Sequence, residues 1–252
     1  MNPYESYLNA AIEIAEKASK VAVSYFRQAL LIEMKENQTP VTIADKKTEE
    51  TIRMDLKELF PDHGIVGEEL GSQPTASEYL WTIDPIDGTR SFIRGIPLFG
   101  TLMALLRKGK PVVGVMVLPV LEETYFAAEG MGTFCNGTRL HVSTTKSLGS
   151  ALVSCGDINC FEDSGRVDYL DKLQKNAGIV RGYTDCFGHS LVLRGAVDAM
   201  VDPVVWVWDV APLAVLVSEA GGDYFTLDGE RTHMGKSFVS ATPALKKELV
   251  GL

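Results

Sequence analysis

Apolar residues recur at helical spacing from the start of the chain. Tyr7, Leu8, Ala11, Ile14, Ala15, Ala18, Val21, Ala22, Tyr25 and Phe26 share one face, which predicts a long amphipathic helix over residues 4–31. A second such pattern over 44–60 sets Thr48, Ile52, Leu56 and Leu59 on one side and many charges on the other, and Pro61-Asp62-His63-Gly64 ends it. Short β-rich runs follow at 64–68, 79–83, 100–107, 111–118 and 123–128; the third and fourth of these pair as an antiparallel hairpin about Lys108-Gly109-Lys110. After Leu140 strands and helices alternate: strand 151–155, helix 165–176, strand 178–183, helix 187–195, strand 198–201, and helix 210–220 closed by Gly221-Gly222. The pattern therefore predicts an α+β half (1–145) and an α/β half (146–252), tightly joined near residues 143–150 into one unit, with no repeat or low-complexity tract.

Composition narrows the function classes. Of 252 residues, 46% are apolar and 23% charged, which fits a folded globular chain and excludes disorder and collagen-like repeats. The formal charge of -9 argues against a nucleic-acid partner, whereas one phosphorylated metabolite remains compatible if a cation or a helix N-terminus reverses the local sign. The longest apolar run, 111–121, is broken by glycine and prolines and falls short of a membrane span, so no membrane association is expected. The acidic N-terminus does not resemble a secretory signal, which makes the cytoplasm the expected compartment. Cys135, Cys155, Cys160 and Cys186 lack metal-binding spacing and are expected as buried thiols.

The chemistry concentrates in Trp81 to Phe92, WTIDPIDGTRSF. A strand ending at Asp84, stopped by Pro85, with Asp87 three residues on, places two carboxylates on one turn before a helix that begins near Arg90 or Ser91. Carboxylate oxygens suit Mg²⁺, and the Ile86 carbonyl can add another. The Gly88 and Thr89 amides would face an anion beside the cations. Asp-Pro and Asp-Gly are also ordinary turn chemistry, with Asp87 capping the helix. Other acids shift the balance: Gly67-Glu68-Glu69 follows a predicted strand, and Asp209 opens an apolar helix. Taken alone, Glu68 would read as surface charge and Asp209 as an N-cap.

Together these residues resemble the magnesium-dependent, lithium-sensitive inositol monophosphatase family. GEE at 67–69, DPIDGT at 84–89, WDVAP with EAGG from 208 to 222, and PVTIAD at 40–45 match its signatures in order over essentially the whole chain. The resemblance implies an α+β fold, the layered α/β/α/β/α sandwich of sugar phosphatases, usually a homodimer. It implies that Glu68, Asp84, the Ile86 carbonyl, Asp87 and Asp209 hold two or three Mg²⁺. Thr89 and Asp45 would orient the metal-bound water that attacks phosphorus, with Glu68 in the catalytic set, while the Gly88 and Thr89 amides hold the phosphate. Glu69 resembles a neighbouring or third-metal acid.

Substrate choice lies outside this shared core. DGTRSF followed by RGIP, and RGYTDCFGH at 181–189, resemble the histidinol-phosphatase branch. Asp185 and Asp202 would then face the leaving-group end, together with Asp209, and extra carboxylates favour the ammonium and imidazole of histidinol over an uncharged polyol. Arg181, Arg90 and His189 are weaker candidates: arginines are commonly solvated, and a His on an apolar stretch is commonly a satisfied structural residue. The alternatives are an inositol-1-phosphate or broad sugar-phosphate phosphatase, and a catalytically weak regulatory protein on the same fold. The last would be marked by a lost metal ligand, and none is lost.

Overall fold

The computed structural model describes residues 2–35 and 39–252. Helix α1 (Glu5–Tyr25) is followed by a small ribbon of β1 (Glu33–Met34) and β2 (Pro40–Val41), and then by α2 (Ile43–Leu59). β3 (Gly64–Gly67), β4 (Gly71–Gln73), β5 (Tyr79–Asp87), the short α3 (Thr89–Ile93), β6 (Gly100–Arg107), β7 (Lys110–Leu118), β8 (Glu123–Ala128), β9 (Gly132–Cys135) and β10 (Thr138–Arg139) follow. These strands make an eight-stranded sheet in the order β10-β9-β8-β7-β6-β5-β3-β4, antiparallel except where β3 runs parallel to β5. The second sheet comprises β11 (Leu152–Cys155), β12 (Ile179–Arg181), β13 (Ala199–Asp202), β14 (Asp223–Phe225) and β15 (Phe238–Ala241), in the order β12-β11-β13-β15-β14. Helices α4 (Ile158–Asp163), α5 (Val167–Asn176), α6 (Asp185–Leu193), α7 (Val207–Glu219) and α8 (Lys246–Val250) lie between and after them.

Strand alternation builds the layers. Val113, Val115 and Val117 of β7, with Met103 and Leu105 of β6, pack under Leu8, Ala11, Ile14 and Ala15 of α1. Their neighbours Leu102, Met116 and Leu118 face Val210, Leu213 and Leu216 of α7 on the other side. The second sheet repeats the device: Val153, Ala199 and Val201 pack against Phe161, Leu170 and Leu173 of α4 and α5, while Met200 turns back toward Val192 of α6. The result is α/β/α/β/α, with α6 and α7 sandwiched between the sheets. The approach is tight where α7 crosses β7, and a Cβ added at Gly114 would lie 2.4 Å from the Pro212 carbonyl oxygen.

Several boundaries differ from the sequence pattern. The first helix stops at Tyr25 rather than residue 31, because Phe26 turns extended and Arg27 takes a left-handed φ of 60°. Leu30 then packs with Phe92 and Phe99, and Leu31 is exposed. Leu59 is exposed rather than core, and Phe60 packs in its place. The hairpin between β6 and β7 turns on Lys108 and Gly109, both at positive φ. Helix α7 begins at Val207, three residues early, and α6 begins at Asp185, two residues early. The pattern does not predict strands β1, β2, β4, β9, β10, β14 and β15 or helices α4 and α8; most are too short to show a period. All four cysteines are free thiols; Cys155 and Cys186 are buried, but Cys135 and Cys160 are only half-buried.

Candidate active site

β5 does not end at Asp84. It continues to Asp87 through an irregularity: Asp84 pairs with Leu102 and Asp87 with Gly100, so two residues on β5 are left without partners opposite the single Thr101. Pro85 has no N–H to donate to the ladder, and its carbonyl accepts from Thr101 Oγ1 at 2.9 Å. The bulge turns both acids into one cavity, and the Ile86 N–H donates to Asp84 Oδ1 at 3.1 Å. Gly88, at φ 84°, follows, and a Cβ there would meet the Leu98 carbonyl at 3.0 Å. Helix α3 therefore starts at Thr89, and Asp87 does not cap it; Asp87 Oδ2 instead accepts the Cys186 N–H of α6 at 2.5 Å.

Glu68 and Glu69 leave the end of β3 on a turn held from α2. Glu49 Oε2 accepts the Glu69 N–H at 2.7 Å and Oε1 the Leu70 N–H at 3.2 Å, while Arg53 Nε donates to Oε1 at 2.7 Å and Arg53 Nη2 reaches the Gly71 carbonyl. A Cβ at Gly67 would sit 2.0 Å from Glu49 Oε1, so only glycine lets this carboxylate approach the turn. Sequence reasoning missed Glu49 and Arg53, because charges on a helix normally mark its solvated side. Lys35 Nζ lies 2.7 Å from Glu68 Oε1 and 2.5 Å from Glu69 Oε1.

Asp45, in the first turn of α2, closes a capping box: the Thr42 N–H and Oγ1 donate to its Oδ2 at 2.8 and 2.7 Å. Its other oxygen, Oδ1, is 3.3 Å from Thr89 Oγ1, which also donates to the Ile86 carbonyl at 2.9 Å. Asp209 sits inside the first turn of α7 rather than at its N-cap, and its Oδ2 accepts the Trp206 N–H at 2.8 Å.

Glu68, Asp84, Ile86, Asp87, Gly88, Thr89, Asp185 and Asp209 thus line one cavity of 780 Å³. A smaller recess of 90 Å³ shares Asp87, Asp185 and Asp209 with it and is closed by His189 and Asp202. Arg181 is exposed near the end of an edge strand and is not among the residues lining either space. Arg90 lines the cavity and lies 3.6 Å from Asp157, a further lining acid that caps the N-terminus of α4 and that the sequence pattern does not single out.

Electrostatics sets this group apart. Burial, reinforced by Glu68, Asp87 and Asp209, pushes the Asp84 carboxyl well above the usual range; burial, with Asp87 and Glu68 beside it, does the same to Asp209. Burial and the Asp185 charge raise Asp87 to about 8, and burial with Asp202 nearby raises Asp185 to about 6. Burial lifts Glu69 to about 7 against the pull of Lys35. Like charges confined together out of water are relieved by protons or by cations, and an all-oxygen set of carboxylates plus one carbonyl suits hard divalent ions. Among the described residues no three acids, histidines or cysteines close into a finished cage; the donors line an open wall.

Known proteins resemble the chain in sequence and in fold. Residues 4–251 match the model of the inositol monophosphatase family. The chain belongs to that family. Within it, the chain is 40% identical over 245 residues to a histidinol-phosphatase of Chlorobaculum parvum, covering 96% of this chain and 95% of the relative. It is 37% identical to a histidinol-phosphatase of Mycobacterium tuberculosis, covering 96% of each. The fold is similar to that of the extragenic suppressor protein suhB of Bartonella henselae, with a TM-score of 0.91 at 26% identity over 98% of this chain and 97% of that one. For an inositol monophosphatase family member the layered sandwich is therefore the expected architecture, and this chain has it.

Proposed function

We propose that the protein is a Mg²⁺-dependent phosphomonoesterase whose substrate is histidinol phosphate, in histidine biosynthesis. One observation carries this reading: acids stand at both ends of the connected space, with Glu68, Asp84, Asp87 and Asp209 on one side and Asp185 and Asp202 in the recess beyond. A phosphate cannot approach the first group without cations, and the second group suits a leaving group that is itself cationic. Likeness to histidinol-phosphatases over nearly the whole chain supports the same choice.

Glu68, Asp84, Asp87, Asp209 and the Ile86 carbonyl would hold two or three Mg²⁺. The ions, when bound, supply Lewis-acid neutralisation of phosphoryl oxygens and acidify water. The Gly88 and Thr89 amides, at the start of α3, orient the phosphate. Thr89 Oγ1 receives a proton from the attacking water as it passes its own to Asp45 Oδ1. Asp185 and Asp202 accept N–H bonds from the ammonium and imidazole ends. A homodimer, inhibition by lithium and a cytoplasmic location belong to the same reading.

Phosphate release from L-histidinol phosphate, inositol-1-phosphate and fructose-1,6-bisphosphate, measured side by side with Mg²⁺, tests it. The expected order places histidinol phosphate first. A preference for inositol-1-phosphate overturns the substrate assignment, and no release from any of the three overturns the reaction.

A further inference from the structure

His189 is buried, yet it sits at the back of the recess rather than in a purely apolar core. Its ring meets Phe238 edge-on at 5.5 Å. Both ring nitrogens are bonded: Nε2 lies 2.8 Å from Asp202 Oδ2, and Nδ1 lies 2.8 Å from Ser240 Oγ. A carboxylate at Asp202 only accepts, so Nε2 is the donor on this side, while Ser240 Oγ, a hydroxyl able to donate or accept, holds Nδ1.

The fold builds this arrangement from three elements. Met200 of β13 pairs with Ser240 of β15, and Asp202 with Phe238. Alternation puts Met200, Asp202, Phe238 and Ser240 on the face covered by α6, where His189 reaches down to two of them. The other oxygen of Asp202 is confined as well: a Cβ at Gly156 would lie 1.9 Å from Asp202 Oδ1, so the carboxylate is pressed against a bare backbone. Both oxygens are thus located, one by a hydrogen bond and one by close packing, beside a recess that opens past Asp185 to Asp87 and Asp209.

We propose that Ser240 and His189 form a positioning relay that fixes Asp202 as the acceptor for the cationic end of the leaving group, making them specificity-determining residues although neither touches phosphate. This rests on the histidinol phosphate reading above. A free aspartate would spread over several rotamers and lose part of its contact to entropy; a carboxylate held in one rotamer does not. Glutamine can place an amide N–H where Nε2 stands, whereas leucine fills the volume and donates nothing.

The test measures kcat and KM for L-histidinol phosphate and inositol-1-phosphate in wild type, His189→Leu, His189→Gln and Ser240→Ala, with thermal melts to confirm folding. His189→Leu should raise KM for L-histidinol phosphate about tenfold, with kcat nearly unchanged and inositol-1-phosphate hardly affected. His189→Gln should recover part of that loss, and Ser240→Ala should show a smaller rise of the same kind. If His189→Leu does not fold, the other two variants decide. Equal losses on both substrates in folded variants, or no change in KM, overturn the relay while a wild-type preference for histidinol phosphate leaves the functional reading standing. A wild type without that preference overturns the functional reading first and the relay with it.

Discussion

Thr89 Oγ1 stands 3.3 Å from Asp45 Oδ1, joining the first turn of α3 to the first turn of α2 across 44 residues of sequence. The same hydroxyl lies closer, at 2.9 Å, to the Ile86 carbonyl, so its single proton has two acceptors and Asp45 is the acidic one. Thr89→Ala should lower kcat by about 10²-fold with a smaller change in KM, because the hydroxyl acts on the water as it attacks. Steady-state kinetics decides: a large rise in KM at constant kcat would make Thr89 an anchor for bound phosphate instead.

Chelation should abolish activity and Mg²⁺ should restore it. A second readout does not depend on turnover. Mg²⁺ binding to the folded chain should raise Tm in proportion to the logarithm of its concentration. Asp84→Asn, which removes the cost of burying an ionisable carboxyl among like groups, should raise the Tm of the chelated protein and flatten its response to Mg²⁺. A wild-type Tm indifferent to Mg²⁺ would count against cation binding by this wall.

Arg53 and Glu49 form an ion pair whose side chains are 9% and 0% exposed. Arg53→Met strands the Glu49 carboxylate in the protein with two backbone N–H donors among the described residues, at an expected cost of about 3–5 kcal/mol in chemical denaturation. Glu49→Gln should cost less stability, yet loosen the Glu68-Glu69 turn and weaken Mg²⁺ affinity. Loss of stability with unaltered Mg²⁺ affinity would confine the pair to a folding role.

His63 is stacked against Phe60 and Tyr79, and its Nδ1 accepts Trp81 Nε1–H at 3.1 Å. Burial lowers its pKa below the ordinary 6.5. The unfolded chain therefore takes up the proton first, so the stability His63 contributes is fully present above about pH 6.5 and is lost as pH falls toward the lowered folded value. Denaturation of wild type and His63→Gln at pH 7.5 and 5.5 should show the larger drop in wild type.

Asp185→Asn and Asp202→Asn should each lower kcat/KM for histidinol phosphate about 10- to 150-fold, the equivalent of a charge-assisted contact of about 1.5–3 kcal/mol. A neutral polyol phosphate should lose much less. Equal losses would assign these acids to scaffolding.

Short-range signals carried the individual elements, whereas the layered architecture and the grouping of Glu68, Asp84, Asp87 and Asp209 were legible only through the resemblance of GEE, DPIDGT and WDVAP to a known family. Alternation in LMALLRKGKPVVGVMVLP gives the β6–β7 hairpin directly, and Asp-Pro-Ile-Asp-Gly encodes a bulge through the missing proline N–H and the left-handed glycine. What the sequence hid is long-range. Glu49 and Arg53 look like solvent-facing charges until β3 brings Gly67 against them, and His189 looks like a spare polar residue until β15 supplies Ser240, in a strand too short to be recognised. The stop of α1 at Tyr25, with Phe26 extended and Arg27 at positive φ, brings Leu30 into the cluster of Phe92 and Phe99, packing that no local pattern reports.

Gly114 lies outside the cavity, yet it sets how near α7 can come to β7, and α7 carries Asp209 one turn before Pro212. A side chain there would displace the helix and, with it, Asp209 on the cavity wall. Heritable change should therefore be filtered unevenly across this molecule: drift at a remote glycine shifts a whole helix, while Asp185 and Asp202, carried on α6 and β13, can be exchanged from the other side of the recess that α7 helps to line. New substrate preferences in such a lineage should arise by editing the recess, with the α7 seat inherited intact.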